Sequence, residues 1–128
     1  MKLTNRATGR AGEFLACSIL EEHGIKSNHV DLDGDDLWAK CPRNFFYPIQ
    51  VKTATRPLLN SPHHRTAKYP FTFKNNMNYV GIFVLCVLDQ RKILCMKWDD
   101  IAATTLKIHP DRFTSEAEVQ SIKDVFLL

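Results

Sequence analysis

No Asp or Glu occurs anywhere from Leu37 through Leu88, although the chain of 128 residues carries 14 acidic side chains in all. Lys40, Arg43, Lys52, Arg56, Arg65, Lys68 and Lys74 fall inside that acid-free span. Where they converge, a positive surface is expected, and Lys and Arg beside phosphates supply most non-specific nucleic-acid affinity. Other absences narrow the field. No C-x-x-C pair exists among Cys17, Cys41, Cys86 and Cys95, and no histidine stands at zinc-finger spacing from them. Free thiols in a reducing cytoplasm fit that pattern better than a disulfide or zinc framework. The longest apolar run, Tyr79 to Leu88, is strand-sized rather than membrane-spanning. The first residues, Met1 to Arg6, lead into a polar helix start and not an apolar signal core, so secretion is not expected. A glycine-rich phosphate loop and a G-x-S-x-G elbow are also missing, which removes two common phosphate and acyl-transfer chemistries.

The length suits one compact domain over residues 1–128, and the composition is that of an ordinary globular protein. Thr4 or Asn5 can cap a first helix, whose broad apolar stripe ends at His23-Gly24. Gly9 and Gly12 cost that helix stability, which suggests close approach of another backbone. An acidic turn, Asp31 to Asp36, precedes a strand at Leu37 to Lys40, and Phe45 to Thr53 reads as the next, with Pro48 marking an edge or bulge. Residues 54 to 68 are loop-like, and Tyr69 to Phe73 is extended with alternating aromatics best placed in a core. Tyr79 to Leu88, apolar on both faces, predicts a central strand, followed by strands at Ile93 to Trp98 and Leu106 to Ile108. Thr114 or Ser115 can cap a closing helix, Ser115 standing at capping-box spacing from Glu118, and Trp38 and Trp98 are most simply core residues. The expected fold class is therefore α/β, with helices flanking a mixed sheet.

Chemistry concentrates at Ile49-Gln50-Val51-Lys52. Alternation along a strand puts Gln50 and Lys52 on one face while Ile49 and Val51 share the other. With Glu13 in the first helix and Asp36 heading a strand, two carboxylates, an amide and a lysine are available to hold a divalent metal and steer a phosphate. His63 and His64, in a basic proline-bounded loop, fit contact with DNA or solvent better than metal ligation, having no acidic neighbour in sequence.

In order and type these residues resemble the PD-(D/E)XK nuclease superfamily. The nearer likeness is to its glutamine-containing branch, which includes group I intron homing endonucleases. It rests on Gly12-Glu13, Asp36-Leu37 and Ile49-Gln50-Val51-Lys52-Thr53. The resemblance implies a restriction-endonuclease-like core: a mixed central β-sheet flanked by an N-terminal and a C-terminal helix. It also implies a DNA endonuclease dependent on Mg²⁺, with Mn²⁺ as substitute; a chain this small covers few base pairs, so a homodimer or homotetramer is expected for site-specific cutting. Glu13, Asp36, Gln50 and Lys52 would be catalytic, with Glu13, Asp36, the Gln50 amide oxygen and the Val51 carbonyl as ligands. Arg10, Arg56, His63, His64, Arg65, Lys68 and Lys74 would face DNA. Proline does not precede Asp36, so Asp31, Asp33 and Asp35 remain alternative ligands. A junction-resolvase-like enzyme, a non-catalytic DNA-binding module and a protein-interaction domain are the rival readings.

Overall fold

The computed structural model describes residues 3–32, 34–59 and 65–126. Helix α1, Asn5–Glu22, starts where Thr4 Oγ1 accepts the Ala7 N–H at 3.1 Å. Leu15, Ala16, Ile19 and Leu20 repeat at helical spacing and are buried as one stripe. The helix stops at His23 because Gly24 adopts φ of +79°, a left-handed turn that glycine takes without steric cost.

Five strands form the main sheet: β1 (Lys26–Leu32), β2 (Asp35–Lys40), β3 (Phe46–Ala54), β5 (Ile82–Val87) and β6 (Lys92–Lys97), in the order β1-β2-β3-β5-β6. Only the β3–β5 pair is parallel, so the sheet is mixed. β4 (Tyr69–Thr72) and β7 (Thr105–Ile108) make a separate antiparallel pair, and α2 (Ser115–Phe126) closes the described chain. Both helices pack on one face of the main sheet, over Leu37, Ile49, Val84 and Ile93. The opposite face carries a second core, in which Tyr69, Phe71 and Phe73 meet Phe83, Leu85 and Phe113. β5 lies between β3 and β6 with all six residues buried, as its doubly apolar sequence requires.

Edge strand β6 turns its outward amides to α2. Ile93 N–H donates to Glu118 Oε2 at 2.8 Å and Cys95 N–H to Ser121 Oγ at 3.0 Å. These bonds blunt an edge that would otherwise offer unpaired donors. They also draw Glu118 away from the capping box that its spacing from Ser115 suggests; of the two expected caps it is Thr114 that serves, its Oγ1 accepting the Ala117 N–H at 3.0 Å.

Three further expectations are corrected. Trp38 and Trp98 are 44% and 45% exposed, not core. Trp38 alternates with buried Leu37 and Ala39 on β2, and so faces away from the helices. The strand expected from Tyr79 begins only at Ile82, because Tyr79 N–H closes a turn on Asn76 O at 3.0 Å. Pro48 sits in the middle strand of the sheet, but β5 pairs with β3 only from Ile49 onward, so the proline has a paired neighbour on one side.

Candidate active site

The antiparallel register of β2 and β3 runs from Lys40↔Phe46 to Leu37↔Ile49 and stops there. Beyond Ile49, β3 continues only against β5, while β2 begins at Asp35. A fork opens between the two strands. The Asp36 side chain fills it: Oδ2 accepts the Val51 backbone N–H at 2.8 Å, taking the place of a strand partner. Extending the register by one places Asp36 opposite Gln50, and Gln50 Nε2 reaches the same oxygen at 3.3 Å. Among the described residues no hydrogen bond reaches Asp36 Oδ1.

From Gln50 the network continues. Its Oε1 accepts Asn76 Nδ2 at 3.0 Å, and Asn76 Oδ1 accepts the Lys52 ammonium. Asp36, Gln50, Asn76 and Lys52 thus form one hydrogen-bonded row along the fork. Asp35 is engaged differently. Its two oxygens accept Tyr79 OH at 2.6 Å and Trp38 Nε1 at 2.8 Å. Asp31 is exposed, and Asp33 lies outside the described residues. Of the described aspartates in the turn, Asp36 is the one that faces Gln50 and Val51.

Glu13 approaches from α1. Gly12 brings the helix onto β3, with a Cβ at that position falling only 1.9 Å from Thr53 Oγ1. The backbone approach expected from the glycines is corrected: Gly12 makes room for the Thr53 side chain, whereas a Cβ at Gly9 would meet nothing within 4 Å. Glu13 Oε1 lies 3.7 Å from His29 Nε2, and no hydrogen bond joins it to Gln50 or Lys52 among the described residues. Its link to the row is electrostatic. Burial raises the Glu13 carboxyl above its ordinary pKa, and the Asp36 charge raises it further. Burial likewise raises Asp36, outweighing the Val51 N–H and the Lys52 charge, and it lowers the Lys52 ammonium against the pull of Asp36. All three groups are held where their charged forms are disfavoured.

The cations expected at DNA are exposed. Arg10 stands over the Phe14 ring at 5.9 Å, beside Glu13. A two-residue bridge between Leu58 and Lys68 closes the loop that carries Arg65. Arg56 lines an open cleft of about 810 Å³ with Asn5, Thr8 and Thr55, at the end of β3 beyond Lys52. Among the described residues Arg10, Arg56, Arg65, Lys68 and Lys74 form no ion pair with a carboxylate. His63 and His64 lie outside the described residues.

Nothing in the sequence places Asn76 or Tyr79 at the fork: Lys74-Asn75-Asn76 reads as a turn whose amides could contact phosphates or base edges, and Tyr79 reads as the start of a strand. The gap of 26 positions between Asn76 and Gln50 leaves no periodicity to reveal the contact.

No family model matches the chain, and no curated protein matches its sequence. Among solved structures it is similar to a bacterial homing endonuclease, I-Ssp6803I, at a TM-score of 0.66 and 12% identity. The match covers 84% of this chain and 77% of that one. At that identity the likeness is one of fold: the mixed sheet with its N-terminal and C-terminal helices is homing-endonuclease-like.

Proposed function

We propose that this chain is a metal-dependent DNA endonuclease of the PD-(D/E)XK type, acting at the β2–β3 fork. The observation that carries the reading is the row Asp36–Gln50–Asn76–Lys52, with the Glu13 carboxyl in electrostatic range of Asp36. Among the described residues there is no cluster of three or more His, Cys, Asp or Glu suited to a metal ion. The donors are instead two carboxylates and a carboxamide. Such an all-oxygen, partly filled set suits Mg²⁺ or Mn²⁺, which keep waters and substrate phosphate in their shells. Asp36 Oδ1, which no hydrogen bond reaches among the described residues, and the raised Glu13 carboxyl are the groups that would gain from a cation.

Asp36 would be the principal ligand, with Glu13 binding directly or through water and Gln50 and the Val51 carbonyl completing the protein side. A bound divalent ion supplies Lewis acidity toward the scissile phosphate and an acidified water. Lys52 would orient the attacking water and offset charge growing on the phosphate. Arg10, Arg56, Arg65, Lys68 and Lys74 would hold the DNA backbone, a role also proposed for His63 and His64. A chain of this size covers few base pairs, so a homodimer or homotetramer is the expected cutting species.

The test is nicking of supercoiled plasmid in Mg²⁺ or Mn²⁺ by wild type, Lys52→Ala and Asp36→Ala. Cleavage by wild type and its loss by about 10²-fold or more in both variants is the expected result. Failure of wild type to cut duplex, branched and single-stranded DNA alike would sink the enzyme. Salt-sensitive DNA binding without cutting would identify a binding module on this fold instead.

A further inference from the structure

Asn76 is delivered to the fork from a tightly held turn. Its N–H donates to Phe73 O at 2.8 Å, its carbonyl accepts Tyr79 N–H at 3.0 Å, and Phe73 is fully buried. The side chain therefore has a fixed base from which to reach both Gln50 and Lys52.

The direction of the row is set from both ends. An ammonium only donates, so Lys52 fixes Asn76 Oδ1 toward itself. Asn76 Nδ2 must then face Gln50, which accepts with Oε1 and turns its Nε2 to Asp36. An ionised carboxylate only accepts, so this end agrees with the other. Reversing either amide alone would set donor against donor or acceptor against acceptor.

A cation seated beside Asp36 needs an oxygen from Gln50, yet Gln50 offers Asp36 its NH₂. Reversal of Gln50 turns that NH₂ on Asn76, and Asn76 can receive it only by reversing as well. Its own NH₂ then faces the Lys52 ammonium, which cannot accept it. We propose that Asn76 is a positioning residue that couples these groups. It latches Lys52 while Gln50 is turned from the cation position, and lets Lys52 go toward the phosphate when Gln50 presents its oxygen. This inference rests on the cation-dependent reading above and adds a regulated step to the same site.

The test is Mn²⁺ binding to the full chain without DNA, followed by calorimetry, for wild type, Asn76→Ala, Gln50→Glu and the double variant. With the latch removed, Asn76→Ala should tighten Mn²⁺ by about five- to tenfold, the scale of one hydrogen bond to a charged group partly open to water. The carboxylate introduced by Gln50→Glu presents an oxygen in either orientation, so adding Asn76→Ala to that variant should change the affinity less than about twofold. A purely structural role would shift both backgrounds equally. Weaker or unchanged binding in Asn76→Ala, or equal shifts in both backgrounds, overturns the latch but not the cation-dependent reading, which the plasmid assay on wild type tests separately. Wild type that takes up no Mn²⁺ overturns the latch and the cation-dependent reading together. A second measurement needs no variant: in Mg²⁺ titration of ¹⁵N-labelled wild type, the Gln50 and Asn76 side-chain amide signals should move with one midpoint. Movement of Gln50 alone would overturn the coupling.

Discussion

Two glycines in one helix give opposite outcomes when each is replaced by alanine. Alanine in a helix interior is favoured over glycine by about 0.8–1.0 kcal/mol. Gly9 has open space where a Cβ would go, so Gly9→Ala should collect most of that gain. A Cβ on Gly12 would lie 1.9 Å from Thr53 Oγ1, 2.8 Å from its Cγ2 and 2.9 Å from its Cβ. Rotating the threonine moves the first two atoms but not the third, so α1 must lift from β3. Overpacking of this kind costs about 1–3 kcal/mol, and the need for backbone movement argues for the upper end. Net of the propensity gain, Gly12→Ala should lose about 1–2 kcal/mol, which separates it from Gly9→Ala by about 2–3 kcal/mol. Urea unfolding monitored by circular dichroism resolves that gap. Thr53 Oγ1 is buried without a hydrogen-bond partner among the described residues, so Thr53→Ala forfeits none there and removes the two nearest atoms. In the Gly12→Ala background it should restore at least half of the loss. Glu13 follows Gly12 directly, so the lifted helix should also weaken Mn²⁺ binding. If Gly12→Ala stabilises the chain as much as Gly9→Ala, α1 does not rest on β3 and the placement of Glu13 falls with it.

The carboxylates give a pH prediction. Glu13 and Asp36 are raised in the folded chain, so between the ordinary carboxylate range and their raised values the folded state holds more protons than the unfolded state. Stability without added divalent ions should therefore fall as pH rises through that window, in thermal melts of wild type against Asp36→Asn. Asp36→Asn should itself raise the melting temperature at pH 7 by about 2–5 °C, and saturating Mg²⁺ should stabilise wild type but not the variant. Glu118 is 8% exposed and accepts the buried Ile93 N–H, so Glu118→Ala should cost about 1–3 kcal/mol in urea unfolding and speed exchange of the Ile93 amide. Glu118→Gln keeps an acceptor and should cost less than half as much.

Much of the fork was legible because it depends on local rules. Alternation in Ile49-Gln50-Val51-Lys52 correctly separated the buried pair from the polar pair, and Gly12 pointed to a tight contact, made by the Thr53 side chain and not by a backbone. Buried β5 followed from a run apolar on both faces. What failed depended on partners remote in sequence. Glu118 fits a capping box until an edge strand with open amides is placed beside it. Trp38 looks like core until the uncovered face of β2 is known. Asn76 and Tyr79 belong to a turn whose chemistry is decided by the residues it lands against, Gln50, Lys52 and Asp35.

The charges at the fork argue against a merely solvated strand face. A lysine beside a glutamine on an exposed strand would keep its ordinary protonation, since water screens it and no burial opposes it. Here Lys52 is lowered, Asp36 and Glu13 are raised, and burial is the leading cause in all three. Each group sits where its own charge is unfavourable, so the fold bears a stability cost at one spot. Asp36 and Lys52 relieve one another only in part, and Asn76 rather than Asp36 takes the ammonium directly. A core that tolerates this could shed the cost with neutral side chains at the same positions. A cation would relieve the repulsion of the two carboxylates and a phosphate would satisfy the ammonium, which is the charge pattern that the proposed function requires of the fork.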